Sequence, residues 1–229
     1  MKTKKKKIDL FDICNTIFML LIVVITLYPL YFTVIASFSD PDAVAKGEVL
    51  LLPINFTIEA YKHILEFEDL WRGYANTILY TVSGTLFALF LTIPCAYAMS
   101  KQKLPHRSFL STFFLIPMFF GGGLVPTYLL IKNLNLLNTR TILIIGGAFS
   151  VYNMIVTRTF FSTTIPDSLY EAAEMDGASE FKKFTAIALP LSKSIIAVMA
   201  LFFAVGKWNS YFDAMIYVSN EAYMPLLLV

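Results

Sequence analysis

Five long apolar stretches, at approximately 16–36, 74–99, 109–131, 141–161 and 187–207, alternate along the chain with short polar segments. An α-helix rises about 1.5 Å per residue and a bilayer's hydrocarbon core is about 30 Å thick, so about 20 apolar residues are needed to cross it. Each stretch reaches that length, and none contains Asp or Glu. The pattern predicts an all-α, polytopic transmembrane helical bundle with five spans present.

The polar segments between the stretches differ in charge. Lys4, Lys5, Lys6 and Lys7 precede the first span; Lys101, Lys103 and Arg107 lie between the second and third; Arg158, Lys182, Lys183 and Lys193 flank the fourth and fifth. Such alternation follows the positive-inside rule and predicts a cytoplasmic amino terminus, with 1–15 a basic cytoplasmic segment. The loop at 37–73 carries Asp40, Asp42, Glu48, Glu59, Glu66, Glu68 and Asp69 against Lys46, Lys62 and Arg72, and is expected outside. A rival reading makes the first span a cleaved leader ending near Ala36. Its apolar run is too long for that, because a leader's hydrophobic region is roughly 7–15 residues. Five spans put the carboxyl end outside as well. The run Pro225, Leu226, Leu227, Leu228, Val229 ends the chain without a capping signal, so a sixth span is expected beyond Val229 and absent from this chain.

Composition agrees with a membrane protein: 57% hydrophobic, 15% charged, formal net charge +2 and mean hydropathy +0.68. An ordinary soluble domain of this length does not have these values. The lysines gather at the amino end rather than on an amphipathic surface, which leaves nucleic-acid binding without a basis. Cys14 and Cys95 are far apart and have no metal-ligand spacing, so no metal site is expected. His63 and His106 are isolated in loops and read as solvated residues.

One polar stretch departs from loop chemistry, running from Pro166 to Phe184 with Glu171, Glu174, Asp176 and Glu180 within it. At a helix centre in lipid each acid would cost roughly 2.5–3.5 kcal/mol, so the stretch is expected in the cytosol. Ser168 and Glu171 have capping-box spacing, Asp167 after Pro166 is an equally good cap, and Gly177 is a natural helix stop. A second helix is expected from Ser179, continuous with the fifth span, with Pro190 bending or weakening it just inside. The first helix is too short to stand alone, since isolated helices need about 12–15 residues. Ala172 and Ala173 give it a flat face that another protein could approach, and Glu171 and Glu174 offer carboxylates to basic partners.

Glu171-Ala172-Ala173, then Gly177, then Ile187-Ala188-Leu189-Pro190 resembles the EAA signature of bacterial binding-protein-dependent ABC importer permeases, with matching spacing throughout. Arg72-Gly-Tyr-Ala-Asn-Thr, Trp208-Asn-Ser-Tyr-Phe-Asp-Ala and Phe119-Phe-Gly-Gly-Gly-Leu-Val-Pro-Thr-Tyr resemble the carbohydrate branch, and the last the oligosaccharide-importing subgroup related to LplC and YtcP. The resemblance implies the type I importer permease fold, with 74–229 a C-terminally truncated transmembrane domain and 167–184 its coupling helices. Glu171 would meet a basic residue of a cytosolic ATPase, Gly177 would allow the elbow, and Leu189 and Pro190 would begin the transmitted motion. The implied partners are nucleotide-binding ATPase subunits using ATP and Mg²⁺, a second permease subunit, an extracytoplasmic solute-binding protein and membrane lipid. The implied location is the bacterial cell membrane. This chain itself would bind no cofactor.

Gly121, Gly122 and Gly123 with Pro126 interrupt the third span, and broken helices at membrane depth are tolerated mainly where they line a cavity. The glycines either line the solute path or let helices pack closely. Tyr128, Asn153, Trp208, Asn209 and Tyr211 are candidate sugar contacts, with interfacial anchoring or packing as the alternative for each.

Three other functions compete. No Gly-x-x-x-x-Gly-Lys-Ser/Thr loop occurs, so ATP hydrolysis is expected from a partner. An ion-coupled secondary transporter would need ionisable residues in its spans, where acids are lacking. A membrane enzyme would need a clustered nucleophile, base or metal set, and none is evident. An ABC permease for a peptide or amino acid stays open.

Overall fold

The computed structural model describes residues 10–229; the basic cluster at 4–7 lies outside the described residues. The described residues hold helices and no strand. The chain divides into two compact units, Met1–Glu68 and Asp69–Val229.

In the first unit, α1 (Leu10–Ser37) runs for 28 residues, or about 42 Å. It starts within the segment expected to be a polar tail. Among its side chains only Ile35 is buried, so the rest of this apolar surface is left for lipid or another protein. After it come α2 (Pro41–Ala45), capped by the Asp40 carboxylate accepting from the Asp42 N–H at 3.2 Å, and α3 (Glu59–Glu66). Ile35, Ala43 and Val49 form a small core here. The loop folds back along α1, where the Tyr28 hydroxyl donates to the Leu50 carbonyl at 3.2 Å and Tyr31 donates to Leu51.

α4 (Glu68–Ser100, 33 residues) begins earlier than the loop boundary at 73 implied, and is the mast of the second unit. Its small buried residues, Gly84, Ala88 and Ala96 among them, let neighbouring helices approach closely. α5 (Arg107–Phe119) and α6 (Leu124–Asn133) are bent by 112° across the glycine run, where Gly123 has φ +81°. The third stretch is thus interrupted where the glycines predict it.

The fourth and fifth stretches are not the continuous helices that their hydropathy predicts. Within 141–161 the chain forms α7 (Arg140–Ile145), a break with Gly147 at φ +62°, and α8 (Val151–Thr164), capped by the Ser150 hydroxyl accepting from the Asn153 N–H at 3.3 Å. α9 (Asp167–Met175) and α10 (Glu180–Lys183) follow, then a π turn at Phe184–Ala188 and α11 (Leu189–Leu191). α12 (Lys193–Trp208) leaves at 80° to that segment, and α13 (Tyr211–Tyr217) comes after it. Pro190 has no N–H to donate and its ring crowds the carbonyl four residues back, which favours the wider turn before it and the corner at Ser192. By length and composition α1 and α4 can each cross a membrane, and the number rises to four if each bent pair is one span.

Three clusters line up along α4. Ile93, Ala96, Tyr97 and Met99 pack with α8 and α9 at its carboxyl end. Ala88 packs with Ala148 and with Ile195, Met199 and Phe203 of α12. Tyr80 packs with α6, α7 and α13 at the other end. The apolar run at 225–229 turns in a 3₁₀ helix at Leu226–Leu228 and is tied to α4 by the Leu226 N–H donating to the Thr77 hydroxyl at 2.8 Å.

Candidate functional site

The segment from 167 to 192 is a helix, a glycine elbow and a second helix, built mostly by local rules. Pro166, with φ −62°, occupies the N-cap, and no side chain caps α9. Neither Ser168 nor Asp167 caps the helix as the sequence reading expected. Asp167 becomes its first residue, where a carboxylate still favours the positive end of the helix. At the other end the Ala178 N–H reaches the Ala173 carbonyl at 2.9 Å and the Gly177 N–H reaches Glu174 at 3.0 Å. These two bonds make a Schellman stop, which needs the left-handed φ of +74° that Gly177 adopts. A β-carbon there would meet open space, so glycine is required by conformation rather than by crowding.

Past the elbow, the Ser179 hydroxyl accepts from the Lys182 N–H at 3.3 Å and starts α10. Lys183, its side chain 5% exposed, pairs with Glu180 at 2.6 Å and with Glu174 at 3.4 Å. One lysine therefore clamps the two helices across Gly177. The hydrogen-bonded Lys183 ammonium holds the Glu180 carboxyl below its usual range. Glu174, offered by sequence as a carboxylate for a partner, is instead committed within the segment. Glu171 is exposed and among the described residues has no ion pair. Ala172 beside it is also exposed, Ala173 is half-buried, and Met175 at the helix end is 90% exposed.

Aromatic contacts fix the segment to the membrane helices. The Tyr97 ring lies 5.8 Å from Phe161, 6.1 Å from Tyr170 and 4.9 Å from Phe184, centroid to centroid. Ala188 is buried in the same cluster, with Ile187 and Leu189 packed against it, while Pro190 is exposed. Lys101 projects into this corner, its Nζ 2.9 Å from the Tyr170 ring centroid and 4.5 Å from that of Tyr97. Between the 101–105 loop and α9 is a cavity of about 530 Å³, which Glu171, Asp167 and Lys101 also line.

Burial pushes the Tyr170 phenol up to about 12, with Asp167 and Glu180 adding to the effect. Burial also lowers Lys101 to about 8, against the opposing pull of Glu180. A lowered amine pKa means that the neutral form is favoured, so Lys101 loses its proton as pH rises through about 8. At that pH its unprotonated fraction exceeds that of an ordinary lysine by roughly a hundredfold. Amine-reactive labelling followed by mass spectrometry is expected to give an inflection near pH 8 at Lys101, well below that of an exposed lysine elsewhere.

The candidate solute contacts fall in four places. Gly121, Gly122 and Gly123 are exposed at the α5–α6 break. Tyr128 on α6 stacks on Tyr217 at 6.4 Å, a partner that sequence did not suggest. Asn153 is half-buried in the first turn of α8, next to the break. Trp208, Asn209 and Tyr211 are exposed where α12 passes into α13; the Asn209 side-chain amide donates to the Val205 carbonyl at 2.8 Å, and the Tyr211 hydroxyl to the Met215 sulfur at 3.3 Å. Sequence assigns Lys101 and Lys183 only to the positive-inside pattern and leaves Tyr97 and Tyr170 without a role. The only local signal was Tyr170, an aromatic three residues before Ala173 on the same helix face.

The chain is 38% identical to protein LplC of Bacillus subtilis over 96% of its own length and 74% of that protein. It is 34% identical to the polygalacturonan/rhamnogalacturonan transport system permease protein YtcP of the same organism, over 95% and 76%. A chain in the crystal structure of a bacterial ABC transporter involved in the import of the acidic polysaccharide alginate superposes with a TM-score of 0.94. That match has 33% identity and covers 100% of this chain and 81% of that one. The family model for the binding-protein-dependent transport system inner membrane component matches residues 10–216. With its helix–glycine–helix segment clamped by Lys183 and seated on Tyr97, this chain belongs to the binding-protein-dependent transport system inner membrane components, the permeases of ABC importers.

Proposed function

We propose that this chain is the permease subunit of an oligosaccharide importer and that α9, α10 and the π turn receive the ATP-driven motion of a separate ATPase. The observation that carries the reading is the segment at 167–192. Nine residues of α9 cannot hold a helix alone, yet here they are stopped at Gly177, clamped by Lys183 and seated on Tyr97. A unit held on one side and carrying exposed Glu171, Ala172 and Met175 on the other suits a lever that another protein grips. Glu171 would pair with a basic residue of the ATPase, which binds the ATP and Mg²⁺. Leu189 and Pro190 stand at the corner where motion passes into α12.

In this reading the amino terminus and the 167–192 segment face the cytoplasm of a bacterial cell, and an external binding protein delivers solute. A second permease subunit completes the pathway, covering part of the exposed face of α1. Spans reorient by alternating access, and the open glycine run at 121–123, Tyr128, Asn153, Trp208, Asn209 and Tyr211 contribute to the path. Carbohydrate is favoured over peptide because two relatives bear the names of polysaccharide importers. The test is uptake into proteoliposomes holding this chain, its companion permease, the ATPases and the binding protein. ATP-dependent uptake is expected for an oligogalacturonate or a neutral maltooligosaccharide and not for a dipeptide. Uptake of the dipeptide alone would overturn the carbohydrate assignment.

A further inference from the structure

Lys207 stands at the end of α12 remote from the 167–192 segment, with its side chain turned into the protein. Its ammonium donates to the carbonyls of Leu143 at 2.8 Å, Ile144 at 2.9 Å and Gly146 at 2.6 Å. An ammonium has three donors, so its hydrogen-bonding capacity is filled. The acceptors are carbonyls at the end of α7, which the chain break leaves without helical partners further on. A positive charge suits that end of a helix. Without such partners, the buried ammonium and the buried Leu143 carbonyl would each be costly, and the half-buried Ile144 and Gly146 carbonyls would lose an acceptor bond as well.

Gly84 of α4 makes the room. A β-carbon at that position would lie 2.8 Å from Cε and 2.9 Å from Cδ of Lys207. The lysine stem therefore passes through a slot that only glycine leaves open, and α4, α7 and α12 meet on one side chain. Beside the break, Ala148 is buried against Ala88 of α4 and Met199 and Phe203 of α12.

From Leu143 the chain passes the break at Gly146 and Gly147, follows α8 to the 167–192 segment and returns along α12 to Lys207. The lysine closes this long loop at the end opposite the coupling segment. We propose that Lys207 is a positioning residue for energy coupling. It ties α12 to the α7–α8 break, so that motion entering at 167–192 swings the fourth stretch about Gly146 and Gly147 instead of being spent in sliding α12 alone. This inference rests on the permease reading above.

The test uses the complete importer in proteoliposomes and reads solute transported per ATP hydrolysed. Lys207→Met keeps the aliphatic stem and removes the ammonium. The expected result is at least a tenfold fall in that ratio, with ATP hydrolysis stimulated by the loaded binding protein staying within twofold of wild type. An unchanged ratio, or a proportional fall in uptake and hydrolysis that leaves the ratio intact, would overturn the proposal. If Lys207→Met does not assemble, the ratio is read in Gly84→Ala, which pushes on the stem while the charge remains. A tenfold fall there supports the role, and an unchanged ratio overturns it. A wild-type complex without ATP-dependent uptake would instead remove the permease reading itself, which keeps the two failures apart.

Discussion

Tyr97→Ala is expected to abolish transport by detaching the coupling segment while leaving the chain in the membrane. The ring is 6% exposed and touches Phe161 of α8, Tyr170 of α9 and Phe184 of the π turn, so its loss removes the common support of three elements. Truncating a buried aromatic costs about 3–5 kcal/mol. That cost falls on α9 and α10, which are nine and four residues long and have little helical stability of their own. Lys101 also loses one of its two aromatic faces. Limited proteolysis from the cytosolic side is expected to show new cleavage between α9 and α10, with uptake down at least tenfold. Tyr97→Phe keeps the ring and is expected to retain most uptake. Equal protection of Tyr97→Ala and the wild type would contradict the anchoring role.

Much of this segment is legible in the sequence because it is built from short-range rules. The left-handed stop at Gly177 requires a glycine, and the chain has one at the end of a short polar helix. The break at 121–123 is similarly announced by three successive glycines. The start of α9 is not legible from cap residues alone, because Pro166, whose ring fixes φ near the value adopted, takes the N-cap that Asp167 and Ser168 also fit.

What hydropathy could not give is where an apolar run stops being one helix. Gly146 and Gly147 sit inside a run that is as apolar as its neighbours, so periodicity passes over the break. The carbonyls that the break frees are satisfied by Lys207, which is 61 residues beyond Gly146. The corner at Ser192 is similar: Pro190 signals a disturbance, but the 80° turn depends on the π turn before it and on packing. The roles of Lys183 and Glu174 needed the fold, since their pairing spans the elbow. It separates two glutamates that look alike in sequence, Glu174 being held within the segment and Glu171 left for a partner.

That distinction yields the second large effect. Glu171 is exposed, three residues into the motif's helix from Ser168, and lines the cavity beside Lys101. Reversing its charge places a cation where the ATPase is expected to present one. Like-charge contact at an interface costs several kcal/mol, and 1.4 kcal/mol is already tenfold in affinity. The fold of the permease has no stake in this carboxylate, because among the described residues it has no ion pair. Glu171→Lys should therefore insert and fold normally and still fail to couple.

The most direct measurement is ATP-driven uptake, with ATPase retention read in the same proteoliposomes, for wild type and Glu171→Lys at matched permease content. The expected result is robust uptake by the wild type, with loss of both bound ATPase and uptake, by at least tenfold, in Glu171→Lys. Undiminished uptake by Glu171→Lys would contradict transmission through the 167–192 segment.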